Sequence, residues 1–199
     1  MPFLSFLLLF PLVGALVIAC IPSWKVRAIK TIALCTSLIN FIVACGLWLV
    51  FDNSTAKFQF VEHIGWLPFF NMNAYIGIDG ISLFFIVLTT FLVPVCLLVG
   101  WVNISKHIKE YCLAFLVLET CMLAVFCMLD LLLFYVFFES VLLPMFLIIG
   151  VWGSRARKIR AAYQFFLYTL IGSVLMLLAI LLIYFQVGTT AVSYTHLRA

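Results

Sequence analysis

The forty residues from Tyr111 to Gly150 constrain this chain most, because they are almost wholly apolar and yet carry three acids. A hydrocarbon core about 30 Å thick takes about 20 helical residues per crossing, so this stretch predicts two transmembrane helices joined by a tight turn. We place the turn near Asp130, at the membrane surface, where a charge costs little. Glu119 and Glu139 then fall about 14 to 17 Å deep in the membrane.

Two carboxyl groups at that depth need a physical reason. An ionised side chain at the bilayer centre costs at least about 2.5 kcal/mol, so such residues usually face a bundle interior or a hydrated path and serve function. Glu139 and Glu119 are therefore the candidate site residues, and proton translocation is the chemistry that they suggest.

The composition places the whole chain in the membrane. Hydrophobic residues make up 67% of it and charged residues 9%, which excludes a soluble domain. The apolar runs are continuous rather than alternating, so they predict helices and not a barrel. The expected fold is all-α, a polytopic transmembrane bundle in which the connection 52–79 packs on the membrane surface. Its six spans are 3–21, 29–51, 80–101, 111–129, 131–150 and 162–187.

The basic residues alternate between connections, which supports six spans and an N-terminus facing outward. The formal charge is only +4, and its distribution excludes nucleic-acid binding. The basic run 155–160 reads as a topology anchor that contacts anionic lipid, or else as a partner of the acids. Nine of the eleven bases lie in the first, third and fifth connections: Lys25, Arg27, Lys30; Lys106, Lys109; Arg155, Arg157, Lys158 and Arg160.

The seven cysteines lie within or beside the predicted spans and show no CxxC spacing. We interpret them as packing residues and expect no disulfide framework and no bound metal. The N-terminus has no cleavable signal or transit pattern, so the first span is expected to be retained.

Local patterns give three further expectations. Asp79 precedes a predicted helix and is expected to cap it. His107 is expected to be a solvated residue at the basic end. Pro94 and Pro144 lie within spans, and each removes one helical hydrogen bond. Each is expected either to bend its helix or, in the case of Pro144 beside Glu139, to free a carbonyl that accepts from water or a proton donor.

The two glutamates allow more than one interpretation. Glu139 is flanked by aromatic residues, so a partner must come from another helix; without a cation it would carry a proton, and with one it would ionise. It is either a proton-transfer group or a permanently neutral acid that fixes helix packing. Glu119 is either an entry or relay group, or a carboxyl bonded to Thr120.

Two blocks of sequence resemble a known family. LDLLLFYVFFESVLLPMFLIIGVWGSRARKIRAAYQFFLYTLIGSVLMLLA at 129–179 and GIDGISLFF at 77–85 are similar to the N-terminal part of the subunit 4 family of respiratory complex I, the proton-translocating NADH:ubiquinone oxidoreductase. The resemblance runs from Met1 to about Thr190 and is closest to mitochondrial, plant-like forms.

The resemblance implies a fold of about fourteen transmembrane helices with two inverted repeats, similar to the subunits of multi-component cation/proton antiporters. Residues 1–110 would supply the first three helices and 111–190 the start of the first repeat. Glu139 matches the family's acid on the fifth helix, which pairs with a lysine on the seventh, and Glu119 matches an acid on the fourth.

The resemblance also implies the chain's setting. The chain would be a multi-pass protein of the mitochondrial inner membrane. It would lie beside other membrane-arm subunits, especially the neighbouring antiporter-like ones. The chain itself would hold no cofactor, since flavin mononucleotide, iron–sulfur clusters and ubiquinone belong to other subunits. It would contribute to NADH:ubiquinone reduction as a non-redox subunit.

The chain departs from the family in two places. It has six spans, so the seventh-helix lysine is absent, and the tail 191–199 does not read as the family's continuation. We expect an incomplete or chimeric sequence, or a split subunit. Two other functions remain open: a subunit of a cation/proton antiporter, and a membrane scaffold whose acids are inert.

Overall fold

The computed structural model describes residues 3–52, 57–67, 72–153 and 156–187, and these fold into six helices and one β-hairpin. All six helices are long and apolar enough to cross a membrane. The expected all-α bundle of six spans is confirmed, with helix ends that differ from the predicted ones by a few residues. Arg155 and the tail 191–199 lie outside the described residues. The helices are α1 (Phe3–Cys20), α2 (Val26–Val50), α3 (Gly80–Asn103), α4 (Ile108–Cys127), α5 (Leu131–Trp152) and α6 (Lys158–Val187).

The long connection between α2 and α3 contains the β-hairpin, which the sequence did not predict. Strands β1 (Gln59–Leu67) and β2 (Met72–Ile78) pair antiparallel. The turn between α4 and α5 joins this pairing, because the Leu129 N–H donates to the Tyr75 carbonyl at 2.9 Å. The hairpin therefore ties the middle of the chain to the turn that separates the two acid-bearing helices.

Acidic side chains cap three helix N-termini at the hairpin end of the bundle. Asp79 accepts a hydrogen bond from the Ser82 N–H at 2.7 Å, as expected for the start of α3. Asp130 accepts from the first amides of α5 and is only 4% exposed, so the helix N-terminus rather than solvent stabilises its carboxylate. Glu62 of the hairpin reaches the backbone N–H groups of Leu4 and Ser5 in α1, at 3.1 and 3.2 Å.

Lysines satisfy helix carbonyls at the opposite end, where the basic connections meet. Lys109 donates to the carbonyls of Ala19 and Ile21 at the end of α1, and Lys30 donates to the Trp101 carbonyl near the end of α3. Lys158 does the same for α5 through the Val151 carbonyl. These bases offset the negative ends of three helix dipoles. His107 lies at this end with a side chain that is 66% exposed, as expected.

Candidate functional site

The four helices α1 to α4 enclose two apolar clusters, one at each end of the bundle. The hairpin-end cluster includes Leu8, Ala44, Ile86 and Leu123, and it also contains Ile76 of the hairpin. The basic-end cluster consists of Ala15, Ile18, Ile29, Ala33, Val93, Leu97, Tyr111, Cys112 and Leu116.

A layer of buried polar side chains separates these clusters. On each of α2, α3 and α4 the polar residues fall between a residue of the basic-end cluster and a residue of the hairpin-end cluster. The layer therefore lies near the middle of the bundle, at the depth that the sequence predicted for the acids. We call it the polar layer, and its members are Thr36, Ser37, Asn40, Thr89, Thr90 and Glu119.

Glu119 is the acid of the polar layer, and it is fully buried. Its Oε1 accepts a hydrogen bond of 2.7 Å from Nδ2 of Asn40 on α2, seventy-nine residues away in the chain. Its Oε2 and the Oδ1 of Asn40 are both buried and have no hydrogen-bond partner among the described residues. The hydrogen-bonded pair therefore contains two buried acceptors that are unsatisfied within the described residues, and each is costly away from water.

The hydroxyl groups of the polar layer do not supply the missing donors. Thr36, Ser37 and Thr90 each donate to a carbonyl of their own helix, at 2.8 to 3.0 Å. Thr120, the neighbour considered as a partner for Glu119, donates to the Leu116 carbonyl at 3.0 Å. The partner of Glu119 is thus an amide on another helix and not the adjacent threonine.

Charged side chains are also remote from Glu119 along the helices. The other charged residues of α1 to α4 lie in the first turns of α2 and α4, at the basic end: Arg27, Lys30, Lys109 and Glu110. Lys30 and Lys109 are there engaged with backbone carbonyls. Within the described bundle, the amide of Asn40 is the hydrogen-bond donor that faces Glu119.

Glu139 lies at the same depth but faces the other way. It is eight residues after the start of α5, as Glu119 is eight residues before the end of α4. Phe137 packs against the hairpin-end cluster, and Glu139 is rotated from it by about 200° around the helix. Phe146, about two turns further along on nearly the same face, contacts Tyr163 and Phe166 of α6.

The antiparallel register of α5 and α6 indicates what lies opposite Glu139. A methyl group on Gly150 would approach Ala162 at 3.7 Å, and Phe146 contacts Phe166. Continuing this register by two turns brings Ser173, which is only 3% exposed, to the level of Glu139. The Glu139 side chain is half-buried, and its Oε2 has no hydrogen-bond partner in the described part of the chain.

The two prolines and two of the cysteines lie within helices, as the sequence predicts. Helices α3 and α5 continue through Pro94 and Pro144, and the Ser140 hydroxyl donates to the Val136 carbonyl at 2.7 Å. Cys112 and Cys127 are buried in the two apolar clusters, which confirms a packing role for these two. The expected absence of a bound metal stays a prediction.

Asn40 was not predicted as a site residue, although the sequence contains a signal for it. Asn40 is a polar residue near the middle of an apolar span, which is the same criterion that identified the two glutamates. What the sequence could not provide was its pairing with Glu119, since that depends on the packing of α2 against α4.

The chain is similar in sequence to chain 4 of NADH-ubiquinone oxidoreductase from several organisms. The chain is 65% identical over 187 residues to NADH-ubiquinone oxidoreductase chain 4 of Arabidopsis thaliana and 57% identical over 212 residues to that of Prototheca wickerhamii. The resemblance to this subunit is confirmed. The alignments cover 94% and 99% of the chain but only 38% and 40% of these chain 4 relatives. Residues 128–198 also match a family model described as NADH:quinone oxidoreductase/Mrp antiporter, TM.

Two solved respiratory membrane complexes contain chains of similar fold. Respiratory complex I from Thermus thermophilus with bound NADH contains a chain that matches with a TM-score of 0.78 at 29% identity, covering 94% of this chain and 38% of that one. A chain of the archaeal membrane-bound sulfane sulfur reductase matches with a TM-score of 0.79 at 20% identity, covering 96% of this chain and 29% of that one. The second match shows a shared fold alone.

Proposed function

We propose that this chain is part of a proton-translocating membrane-arm subunit of NADH:ubiquinone oxidoreductase. The observation that carries the proposal is the fully buried carboxyl of Glu119 at the middle of a bundle of membrane-length helices, with Glu139 at the same depth on the next helix. The similarity to chain 4 proteins supplies the reaction: electron transfer from NADH to ubiquinone, coupled to proton movement.

In this proposal the chain contributes no redox chemistry. It would hold no flavin, iron–sulfur cluster or quinone. It would act as a non-redox, multi-pass subunit in the mitochondrial inner membrane. Its partners would be other membrane-arm subunits, in particular the neighbouring antiporter-like ones. The sparsely covered faces of α5 and α6 are compatible with such neighbours, because 11% of the residues in the most apolar stretch of each are buried.

Glu139 and Glu119 are proposed to carry the proton. An ionised carboxylate at this depth is costly, so each acid holds or releases a proton according to the groups that face it. For Glu139 the resemblance implies a lysine partner on a helix outside this chain. Rearrangement of that partner would change the proton affinity of Glu139, which is the property that a translocation step requires.

The test is the pair of substitutions Glu139→Gln and Glu119→Gln in the full-length subunit, assembled in its complex. Glutamine keeps the shape of the side chain and removes the titratable proton, so we expect each variant to assemble and to pump poorly. The measurement is the ratio of protons translocated to electrons transferred. An unchanged ratio and rate in both variants would leave a scaffold with inert acids as the better account.

A cation/proton antiporter subunit is the second candidate, because the matching family model covers antiporter membrane subunits as well. The same acids would serve, without any redox partner. Purification from native membranes distinguishes the two functions. Co-purification with flavin-containing subunits that oxidise NADH supports the first, and cation-dependent proton transport without them supports the second.

A further inference from the structure

The pairing of Asn40 with Glu119 leads to an inference that rests on the proposed function of Glu119. We propose that Asn40 is the positioning residue of Glu119, and that the two side chains form an amide–acid pair able to take up one proton. Asn40 contributes one donor to this pair already, through Nδ2 to Oε1 of Glu119 at 2.7 Å.

Each side chain of the pair has one atom that lacks a hydrogen-bond partner among the described residues. Oε2 of Glu119 and Oδ1 of Asn40 are both buried acceptors without a donor in the described part of the chain. An amide group and a protonated carboxyl group each have one donor and one acceptor facing the same way. A single proton on Oε2 would therefore donate to Oδ1 and satisfy both atoms together.

The surroundings favour this arrangement over a charged one. Both side chains are fully buried in the polar layer, and the hydroxyls of that layer donate to their own helices. The lysines of the bundle are engaged at its basic end. The proton thus has a defined place, on Oε2 and bonded to Oδ1, and its departure leaves the Nδ2 donor to hold the carboxylate in position.

The pair also has a structural consequence for the bundle. Asn40 belongs to α2 and Glu119 to α4, so the hydrogen bond joins two helices across the polar layer. A movement that separates α2 from α4 would break the pair and change the proton affinity of Glu119. Through Asn40, α2 would then influence proton transfer on a helix to which it is not adjacent in sequence.

The experiment is infrared difference spectroscopy on the intact complex with the full-length subunit. Glu119→Gln identifies the carboxyl C=O stretching band of Glu119. Asn40→Leu removes the amide donor, and we expect this band to move to higher frequency and proton translocation to fall about tenfold, the effect of losing one hydrogen bond of about 1.4 kcal/mol. The control is Ser37→Ala, one turn away and equally buried, whose hydroxyl bonds within its own helix.

Asn40→Asp is the second variant, because it is nearly isosteric and also removes the amide donor. If Asn40→Leu does not assemble, a shifted Glu119 band in Asn40→Asp supports the pair. A Glu119 band that stays in place in the Asn40 variants overturns it, even where Glu119→Gln abolishes pumping. A shifted band with normal pumping in Glu119→Gln would instead overturn the proposed function of Glu119 and leave the pair standing as a structural contact.

Discussion

The bundle α1 to α4 and the helix pair α5–α6 each carry one acid at mid-depth, Glu119 and Glu139, but they enclose it to different extents. Between 33% and 50% of the residues in the most apolar stretches of α1 to α4 are buried, against 11% in α5 and in α6. Glu119 accordingly is fully buried and has a hydrogen-bond partner on a neighbouring helix, whereas Glu139 is half-buried; each has one oxygen without a partner among the described residues. Hydrophobic sequence alone does not distinguish these two environments, because all six helices are equally suited to a membrane.

The two acids also differ in how much of their surroundings this chain provides. Around Glu119 the four packed helices supply the immediate surroundings, including its hydrogen-bond partner Asn40. On the face of α5 that carries Glu139, the described residues in contact are those of α6, near Phe146. In the proposed function, the partner of Glu139 therefore comes from outside this chain.

A core substitution should give the largest contrast between the two regions. Leu116→Ala removes a fully buried side chain from the basic-end cluster, and we expect it to lower the free energy of unfolding by about 2 to 5 kcal/mol. Leu175→Ala, on α6, truncates a side chain that is 63% exposed, and should change it by less than about 0.5 kcal/mol. Unfolding of the purified chain in detergent measures both. Equal losses would contradict the comparison.

The same glycine-to-alanine substitution should also have different effects on stability in the two regions. A Cβ on Gly14 of α1 would lie 2.5 Å from Cγ2 of Thr36 on α2, so Gly14→Ala should destabilise the bundle by about 1 to 3 kcal/mol. Gly172 of α6 has open space where its Cβ would lie, and Gly172→Ala should be neutral or stabilising by up to about 1 kcal/mol. Thermal melting of both variants gives the sign, and a stabilising Gly14→Ala would show that α1 and α2 are not in close contact.

Removing lysine caps should give the smallest contrast. Lys109 joins α4 to the end of α1, whereas Lys158 bonds to the helix that immediately precedes its own. We expect Lys109→Met to cost about 1 kcal/mol and Lys158→Met about 0.3 kcal/mol, because the first variant also loses a contact between distant helices. Denaturant unfolding at low salt is the measurement. A larger cost for Lys158→Met would reverse this ranking.

Much of the fold could be predicted from the sequence because the membrane restricts the choices. Long apolar runs give helices of about the required length, and alternating bases give the number of spans. The contacts between Lys109 and Ala19 and between Trp152 and Lys106 confirm that the basic connections meet at one end. The β-hairpin could not be predicted in this way, because it is held by contacts with segments remote in sequence: with α1 through Glu62, and with the α4–α5 turn through Tyr75.

The sequence by itself determined that this chain spans a membrane six times, and that two acids lie at the same depth within it. The physical reason is that hydrophobic length and backbone hydrogen bonding are local properties. Only the tertiary structure decided which acid is enclosed, which side chain bonds to it and which atoms are left without a donor. Those outcomes depend on the packing of α2 against α4 and of α5 against α6, which the composition of each single helix does not determine.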